Sequence, residues 1–390
     1  MLLKNIINNY LIKIIINDAM TILYFFSFRN SIESWYNSGI LNRELEIFKL
    51  LNSKYGHKFI FVTYGDIDDK KYIDNLNYIT LISYGSLFNE AYKIKFLKTL
   101  LIPFKLKQLQ INFDLIQQNQ LNGSWVSIFT KIIFKKPLFI RTGYSMYKFS
   151  ILENKSFLKV SLYKILTVIS VLFSNVYSVS SQTELEDFNK KSNKYRSKVN
   201  LLRNWSNSIS SKPFLSRYDN KILCVGRLVP QKNYTKLLHD FKNSTDEFEI
   251  DIIGTGNDKE VLKTLSEKLG VKVNFLGRIE NSVLKTLYQD YKYFVNCSEF
   301  EGNPKSTIEA MGAGCLVLAS NIENHKEFIN NYEDGILFDL KKSNIKDIIK
   351  SISNELAKDI STNAINKVNK SFKIEKILED YNQIYISLSK

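Results

Sequence analysis

The sequence predicts an α/β protein in which each of two domains contains a parallel β-sheet. Apolar runs of strand length alternate with helical patterns along most of the chain, an arrangement that gives parallel sheets covered by helices. This alternation is interrupted by a polar segment with one proline at residues 206–220. The length of 390 residues also suits two domains of ordinary size.

The first series of elements occupies residues 20–205 and forms the first predicted domain. Its strands are predicted at residues 21–26, 59–63, 78–81, 115–118, 138–141, 176–179 and 199–202. Its helices are predicted at residues 40–53, 91–110, 124–134 and 157–173. The apolar run at 162–180 contains Lys164 and Asn175, so it is interpreted as a helix followed by a strand and not as a membrane span.

The second series occupies residues 221–371 and forms the second predicted domain. Its strands are predicted at residues 222–225, 248–253, 273–275, 294–296 and 316–319. Its helices are predicted at residues 234–241, 259–269, 283–288, 306–313 and, as a pair, within 344–370. Residues 206–220 are expected to be an interdomain linker, and residues 1–19 an extension outside the core.

The net charge is confined to the first part of the chain. Residues 1–220 hold 30 Lys and Arg against 15 Asp and Glu, whereas residues 221–390 hold 24 of each. A basic domain beside a neutral one indicates two kinds of partner, and nucleic acid and an anionic membrane surface both fit the basic one. No recognition helix or aromatic-basic RNA motif is recognisable, so no nucleic-acid partner is expected.

Cysteine, histidine and acidic residues give no metal-binding pattern. The three cysteines abut apolar runs without metal or redox spacing, which is typical of reduced core residues in a cytosolic protein. The three histidines are far apart in the sequence. Asp68 and Asp69 are interpreted as a polar surface turn, so no metal site is expected.

The most informative stretch is residues 300–314, which read FEGNPKSTIEAMGAG. Glu301 lies in a turn with glycine and proline, and a small-residue helix is predicted to follow, with Ser306 or Thr307 as its N-cap. The start of a helix exposes backbone N–H groups, which suits an anionic or hydroxyl-rich ligand. Glu309 lies within about the first turn, so two carboxylates are expected at the mouth of one helix.

A second motif, GRLVPQKN at residues 226–233, directly follows the predicted strand at 222–225. Ligands of open α/β sheets bind beyond the carboxyl ends of the strands. Gly226 permits close backbone approach, and Arg227 and Lys232 place two cations where they can neutralise a diphosphate leaving group. A glycine turn at residues 254–256 is expected at the same edge of the sheet.

These two motifs resemble those of retaining family-4 glycosyltransferases. Glu301 and Glu309, within EGNPKS and EAMGAG, are similar to the E-x7-E signature of that family, and GRLVPQKN is similar to its G-R-L-x-x-x-K-[NG] stretch. The resemblance implies the GT-B architecture, in which two Rossmann-like domains have parallel sheets facing a central cleft. It also implies that residues 372–390 form a helix crossing back to the first domain.

The resemblance implies a role for each matching residue. Arg227 and Lys232 would hold the donor diphosphate and Glu301 the donor sugar, and these three are the candidate catalytic residues. Glu309 would accept hydrogen bonds from the ribose hydroxyls. The candidate donor-binding residues are Gly226, Gly302, Asn303, Pro304, Lys305, Ser306, Glu309, Gly277 and Arg278.

Four residues of the first domain are further candidates for the same site. Ser38 and Gly39 lie in the loop after the first strand, which is glycine-rich in the family. Arg141 and Tyr144 follow the strand at 138–141. Many family members have a histidine near this place that contacts the donor sugar, and this chain has none, so Arg141 or Tyr144 is expected to meet the sugar.

The resemblance implies an enzyme that transfers a sugar from a UDP- or GDP-linked donor to a growing, lipid-linked glycan of a surface polysaccharide, with retention of configuration. The nucleotide sugar is a substrate, and no cofactor and no metal are expected. The enzyme is expected to be cytoplasmic and peripheral on the inner face of the cytoplasmic membrane. Two alternatives stay open: a GT-B sugar-nucleotide epimerase, which needs no acceptor, and a non-catalytic GT-B subunit, against which the intact motif residues count.

A basic amphipathic helix predicted at residues 91–110 is the candidate membrane-binding element. Leu97, Leu100, Leu101 and Phe104 form an apolar stripe at helical spacing, and ten Lys and Arg lie between Glu90 and Glu153. Proline at position 103 is expected to kink or end the helix. The alternative is that the stripe packs on the sheet and the lysines are merely solvated.

Overall fold

A computed structural model describes residues 19–89, 96–191, 193–207, 210–244 and 246–389. These residues form two compact units. The first unit holds the described residues up to Leu202 together with those from Leu378 onward, and the second unit holds those from Arg203 to Ile377. Apart from Ala19, the predicted extension at residues 1–19 lies outside the described residues.

The first unit is built on a parallel sheet with the strand order β3-β2-β1-β4-β5-β6-β7 in the described residues. The strands are β1 (Thr21–Phe25), β2 (Lys58–Thr63), β3 (Ile79–Ser83), β4 (Leu115–Asn119), β5 (Leu138–Arg141), β6 (Val176–Val179) and β7 (Val199–Leu201). The central strand β4 is buried along its whole length, as expected for a parallel sheet covered on both faces.

Helices of the first unit connect these strands. They are α1 (Ile32–Asn37), α2 (Leu41–Tyr55), α3 (Tyr84–Phe88), α4 (Phe96–Thr99), α5 (Ile102–Gln108), α6 (Ser124–Phe134), α7 (Met146–Leu152), α8 (Phe157–Phe173), α9 (Gln182–Lys191) and α10 (Asn193–Arg196). The bounds of α6 and α8 agree with the prediction, and β6 follows α8, which confirms the interpretation of the apolar run at 162–180. Among the described residues, no helix has the length and hydropathy of a membrane span.

The loop after β1 contains a helix that the sequence pattern did not predict. α1 begins after Ser31, whose hydroxyl accepts a hydrogen bond from the Ser34 N–H at 3.0 Å. The Asp69 carboxylate accepts from the N–H groups of Ile32 at 2.9 Å and Glu33 at 3.2 Å. Asp69 is buried, so the prediction of a polar surface turn is wrong for this residue. Burial raises the pKa of its carboxyl above the ordinary value, and the two backbone donors oppose that shift.

The described part of the predicted basic helix at 91–110 forms two short helices instead of one. Residues 91–95 lie outside the described ranges, and the remainder forms the separate helices α4 and α5. Pro103 stands in the first turn of α5, where its missing N–H costs no intrahelical hydrogen bond. The proline therefore starts a new helix instead of kinking a long one.

The second unit contains another parallel sheet, with the strand order β10-β9-β8-β11-β12-β13 in the described residues. The strands are β8 (Tyr218–Val225), β9 (Glu249–Ile253), β10 (Lys272–Gly277), β11 (Tyr291–Asn296), β12 (Leu316–Ser320) and β13 (Ile336–Phe338). The helices are α11 (Tyr234–Asp240), α12 (Lys259–Leu269), α13 (Asn281–Leu287), α14 (Lys305–Gly312), α15 (Glu323–Lys326), α16 (Ile345–Ser351), α17 (Asn354–Ser371) and α18 (Ile374–Ser389). Consecutive residues of β8, Ile222 and Leu223, belong to the apolar cores on opposite faces of the sheet.

Part of the predicted linker is folded into the second unit. Of residues 206–220 the structure describes all but 208 and 209, and β8 already begins at Tyr218. Arg217 is buried, and its guanidinium donates to the carbonyl oxygens of Gly314 at 2.7 Å and Ala313 at 2.9 Å, just after α14. The polar composition of this segment therefore reflects hydrogen bonds within the fold.

Helix α18 begins in the second unit and continues in the first. In the first unit Tyr385 is buried, and its hydroxyl donates to Gln117 Oε1 at 2.5 Å. His57 Nδ1 accepts from the Met20 N–H at 3.1 Å, so Nε2 carries the ring proton and donates to Asn382 Oδ1 at 2.9 Å. These contacts give His57 a structural role in the first unit.

Candidate active site

Two loops of the second unit leave its sheet at the same edge. The Gly226 loop (residues 226–233) follows β8, and the Glu301 loop (residues 297–304) follows β11. β8 and β11 are parallel neighbours, so both loops start at the carboxyl ends of adjacent strands. The strand order reverses between these two strands, and this is the position at which open α/β sheets bind ligands.

Close backbone packing holds the Gly226 loop in place. The N–H groups of Gly226 and Leu228 donate to the carbonyl oxygens of Ile253 and Thr255, each at 2.9 Å. A Cβ atom at Gly254 would lie 1.9 Å from the carbonyl oxygen of Gly226, so a side chain there would displace the loop. The backbone of the glycine turn at 254–256 therefore packs directly against the Gly226 loop and fixes its position.

Side chains join the two loops directly. Lys232 Nζ forms an ion pair with Glu301 Oε1, and both side chains are largely buried. Gln231 adds two hydrogen bonds between the loops: its Nε2 donates to the Phe300 carbonyl at 2.7 Å, and its carbonyl accepts from the Glu299 N–H at 2.9 Å. Two residues that the sequence motifs place 69 positions apart thus form one buried pair.

The surroundings of Glu301 favour its ionised form. Burial raises the pKa of this carboxyl, but the Lys232 ammonium and hydrogen bonds from Lys232 and Ser298 outweigh burial and hold the pKa below its ordinary value. The Ser298 hydroxyl donates to Glu301 Oε1 at 2.7 Å. Both partners bind Oε1, and Oε2 makes no hydrogen bond with the residues that the structure describes. That oxygen is available to accept a hydrogen bond from a ligand.

Arg227 differs from Lys232 although both lie in the same loop. Its side chain is exposed, and it forms no ion pair or hydrogen bond with a residue in the described ranges. The guanidinium can therefore bind an anion without first leaving a protein partner. The Gly226 loop thus carries one cation that is paired with Glu301, Lys232, and one that is exposed, Arg227.

Helix α14 carries the second carboxylate of the motif. It begins at Lys305 after Pro304, and no side chain caps it, so the prediction of Ser306 or Thr307 as N-cap is wrong. The Thr307 hydroxyl instead accepts from Asn296 Nδ2 at 3.0 Å, which ties α14 to β11. Glu309 lies beyond the first turn of α14 and not at its mouth as predicted, because the helix already begins at Lys305. Its side chain is buried, and its Oε2 accepts from the Tyr288 hydroxyl at 3.2 Å.

The turn between Glu301 and α14 is fixed by neighbouring side chains. Asn324 Nδ2 donates to the Gly302 carbonyl at 2.8 Å. Pro304 is buried, whereas the candidates Gly302, Asn303, Lys305 and Ser306 are half-buried. Lys305 Nζ lies 5.6 Å from the centroid of the Trp205 ring, within the range of a cation–π contact.

A buried histidine that lies outside both sequence motifs is close to the ion pair. His325 Nδ1 donates to the Ser320 carbonyl at 2.8 Å, and Nε2 is buried without a hydrogen-bond partner in the described residues. Burial lowers the pKa of His325 below its ordinary value, and the charge of Glu301 opposes this shift. His325 is therefore neutral near pH 7, with an acceptor nitrogen unused.

Gly277 and Arg278 stand apart from the two loops. Gly277 ends β10 with φ of 67°, Arg278 is exposed, and β9 separates β10 from β8. Ordinary strand spacing then places β10 about 10 Å from β8. These two residues can contact a part of a ligand remote from Arg227 and Lys232.

The first-unit candidates have different surroundings. Ser38 is exposed, and its hydroxyl donates to the Ser34 carbonyl at 2.7 Å; Gly39 has φ of 70°. Arg141 ends β5 and is buried, with its guanidinium carbon 6.0 Å from the centroid of the Tyr381 ring. Tyr144 is exposed and packs on Phe149, with ring centroids 4.8 Å apart.

Within the described ranges, no group of three or more His, Cys, Asp or Glu side chains is arranged to hold a metal ion. The cysteines Cys224, Cys297 and Cys315 are free and buried. Burial raises the pKa of the Cys315 thiol to about 12. These thiols are core residues.

Solved structures with the same fold align over almost the whole of this chain. Anabaena HepE in complex with UDP and glucose aligns with a TM-score of 0.72 and 16% identity, covering 95% of this chain and 100% of that one. Sucrose-phosphate synthase of Thermosynechococcus elongatus aligns with a TM-score of 0.76 and 17% identity, covering 94% and 99%. Together with the two parallel Rossmann-like sheets, these likenesses define the fold as GT-B.

The family comparison is more specific and concerns the second unit. Residues 207–369 match the family model of glycosyl transferases group 1. A Campylobacter jejuni α-1,4-N-acetyl-D-galactosaminyltransferase, named for an undecaprenol-diphosphate-linked acceptor, is 30% identical over 54% of this chain and 56% of its own length. CapH of Staphylococcus aureus, a capsular polysaccharide biosynthesis glycosyltransferase, is 32% identical over 43% of this chain and 48% of its own length. The chain thus spans about half the length of these relatives, and the matches support the group 1 glycosyltransferase family.

Proposed function

We propose that this chain is a retaining glycosyltransferase that moves a sugar from a UDP- or GDP-linked donor to a growing, lipid-linked glycan. The observation that carries the proposal is the joined pair of loops at the reversal of strand order, where Lys232 pairs with Glu301 and the same loop carries Arg227, in a segment that matches the group 1 family. The named activities of the Campylobacter and Staphylococcus relatives support a glycan acceptor.

The two cations of the Gly226 loop receive the departing diphosphate. Arg227 is exposed and unengaged with described residues, so it can form two parallel hydrogen bonds to phosphate oxygens. Lys232 is held by Glu301 before any ligand arrives, which reduces the reorganisation needed as negative charge develops. Catalysis then rests on charge stabilisation and orientation instead of a protein nucleophile.

The two carboxylates bind the rest of the donor. Glu301 is ionised, and its Oε2 can accept a hydrogen bond from a sugar hydroxyl. Glu309, which lies beyond the first turn of α14, accepts from the ribose hydroxyls by resemblance to the family. Retention follows, by the same resemblance, from front-face substitution, with the acceptor entering on the side that the diphosphate leaves. No cofactor or metal takes part in this proposal.

A lipid-linked acceptor also implies a location. We place the enzyme in the cytoplasm, peripheral on the inner face of the cytoplasmic membrane, where a carrier lipid and a nucleotide sugar meet. The excess of Lys and Arg in residues 1–220 supports an anionic membrane surface as the partner.

The test is a thermal-shift screen of UDP- and GDP-sugars, followed by a transfer assay with the stabilising donor and a lipid-linked acceptor. A ligand at 100 times its Kd stabilises the folded state by about 2.7 kcal/mol. Arg227→Ala should reduce the shift, whereas Lys263→Ala, a change of an exposed cation on α12, should not. An epimer formed from the donor alone would instead identify an epimerase. Donor binding without any product would identify a non-catalytic subunit, and no binding by any nucleotide would contradict the proposal.

A further inference from the structure

Helix α8 of the first unit turns an apolar face toward solvent. Leu158, Leu162, Ile165, Ile169 and Leu172 recur at spacings of four and three residues and therefore line one face of the helix. All five are exposed, Leu158 by 80% and Leu162 by 59%. The residues of α8 that are fully buried are instead Ser170 and Val171. This is the reverse of the usual arrangement in a water-soluble helix.

Neighbouring helices extend this apolar face. The Ser170 hydroxyl of α8 donates to the Ser124 hydroxyl of α6 at 2.8 Å. α6 exposes Phe129, which lies 6.4 Å by ring centroids from the exposed Phe104 of α5. We call the exposed apolar side chains of α5, α6 and α8 the outer apolar surface. Its members are Phe104, Phe129, Ile132, Phe157, Leu158, Leu162, Ile165, Val168, Ile169, Leu172 and Phe173.

Basic side chains lie on α8 and at its end. Between Asp114 and Glu184 the sequence holds eight Lys and Arg and one acid, Glu153. Lys159 and Lys164 are exposed on α8 itself. At the end of α8, Lys131 Nζ donates to the Phe173 carbonyl at 2.8 Å and Lys198 Nζ donates to the Leu172 carbonyl at 2.9 Å. An apolar face with basic flanks and almost no acid is the chemistry that suits an anionic lipid interface.

We propose that the outer apolar surface docks on an anionic lipid bilayer, with α8 lying in the plane of the interface. A second copy of the chain fits less well, because a two-fold contact through this surface would bring two basic rims together. This assigns docking chiefly to α8 instead of the predicted helix at 91–110. The inference deepens the proposed membrane association and does not depend on the transfer reaction.

The experiment is co-sedimentation of the full chain, without nucleotide, with vesicles of phosphatidylglycerol and phosphatidylcholine at low and high salt. Wild type should bind, and high salt should weaken binding. Changing Leu158, Leu162 and Ile165 to Gln should lower the partition coefficient about tenfold or more, because less apolar area enters the interface. Lys159→Gln with Lys164→Gln should lower it about thirtyfold on the anionic vesicles and have little effect on phosphatidylcholine alone.

The matched control carries the same change at three exposed apolar residues of the second unit, Val261, Val283 and Leu356, and should bind as wild type does. Thermal melting and nucleotide titration check that each variant is folded. The inference is overturned if wild type ignores anionic vesicles, if the α8 triple variant binds as well as wild type, or if the chain is a dimer in solution that the triple variant dissociates. A chain that binds vesicles but no nucleotide sugar would contradict the proposed transfer and leave the docking surface supported.

Discussion

The two units have similar parallel sheets but place different side chains at the carboxyl ends of their central strands. In the second unit the loops after β8 and β11 carry Arg227, Lys232 and Glu301, and the last two are paired. In the first unit the charged residue at the end of β5, Arg141, is buried beside the Tyr381 ring. The charged side chains that could bind a donor are thus in the second unit, whereas the first unit is distinguished by its outer apolar surface. Substitutions in the second unit should therefore have the larger effects on transfer.

The largest effect is expected from Lys232→Met, which leaves Glu301 buried without its cation. Removing one partner of a buried ion pair costs about 3–5 kcal/mol of unfolding free energy. Urea denaturation measures this loss, and the double variant with Glu301→Gln should recover much of it. If the single variant is as stable as wild type, the pair is not a buried charge pair in solution.

Arg227→Ala should separate rate from stability. Loss of one charged contact to the leaving group costs about 2–4 kcal/mol of transition-state stabilisation, or two to three orders of magnitude in rate. Because Arg227 is exposed, the unfolding free energy should change by no more than about 0.5 kcal/mol. Near-normal turnover, with Lys263→Ala as the control, would remove Arg227 from the diphosphate site.

Glu309→Gln and Glu301→Gln should differ in their effect on nucleotide binding. A hydrogen bond to a charged group contributes about 1.5–3 kcal/mol, so Glu309→Gln should weaken the bare nucleoside diphosphate about ten- to a hundredfold. Glu301→Gln should mainly reduce sugar transfer. Calorimetric titration with UDP and GDP distinguishes the two variants, and equal losses of affinity would contradict the assigned roles.

His325 should make the stability of the second unit depend on pH. Its pKa is lowered in the folded state, so the unfolded chain binds more protons and stability falls as the pH drops below the ordinary value of 6.5. The groups that act on it are Glu301, which favours the charged form, and Lys232, which opposes it. The melting temperature of wild type minus that of His325→Leu, followed from pH 8 to pH 5, should decline in this window. A flat difference would show that His325 titrates normally.

The smallest effect is expected in the first unit. Tyr144 is exposed and packs its ring on Phe149, so Tyr144→Phe should leave stability within about 0.5 kcal/mol of wild type. If its hydroxyl contacts the donor sugar, the transition-state stabilisation calculated from kcat/KM should fall by about 0.5–1.5 kcal/mol, the contribution of one hydrogen bond. A decrease in kcat/KM as large as that of Arg227→Ala would show that the first unit contributes as much to transfer as the second.

Local patterns predicted the regular elements better than the contacts between them. The bounds of α6, β5, α8 and β6 agree with the prediction, because long apolar runs there end at clear breaks. The three-residue strand β13 is too short to give a pattern. α1 has a local capping box of Ser31 and Ser34, but its first N–H groups also bond Asp69, which lies 37 residues from Ile32 and which no local pattern could indicate.

In the candidate site, too, individual residues were predictable from the sequence but the contacts between them were not. The motifs indicated Arg227, Lys232 and Glu301 individually, yet the pairing of Lys232 with Glu301 depends on two adjacent strands that are distant in sequence. The unused Nε2 of His325 depends on burial by surrounding elements. The exposure of the apolar face of α8 could not be predicted either, because a helical pattern of apolar residues does not indicate whether that face is buried or faces solvent.

Helix α18 is synthesised after the other described elements, yet most of it belongs to the unit whose first residues are synthesised earliest among them. Until residues from Leu378 onward leave the ribosome, Gln117 cannot bond Tyr385 and His57 cannot bond Asn382. Domains generally fold in order from the N-terminus during synthesis. Here the first unit can complete its core only after the whole second unit has been made, so a ribosome that stalls late would release a chain with an unfinished first unit.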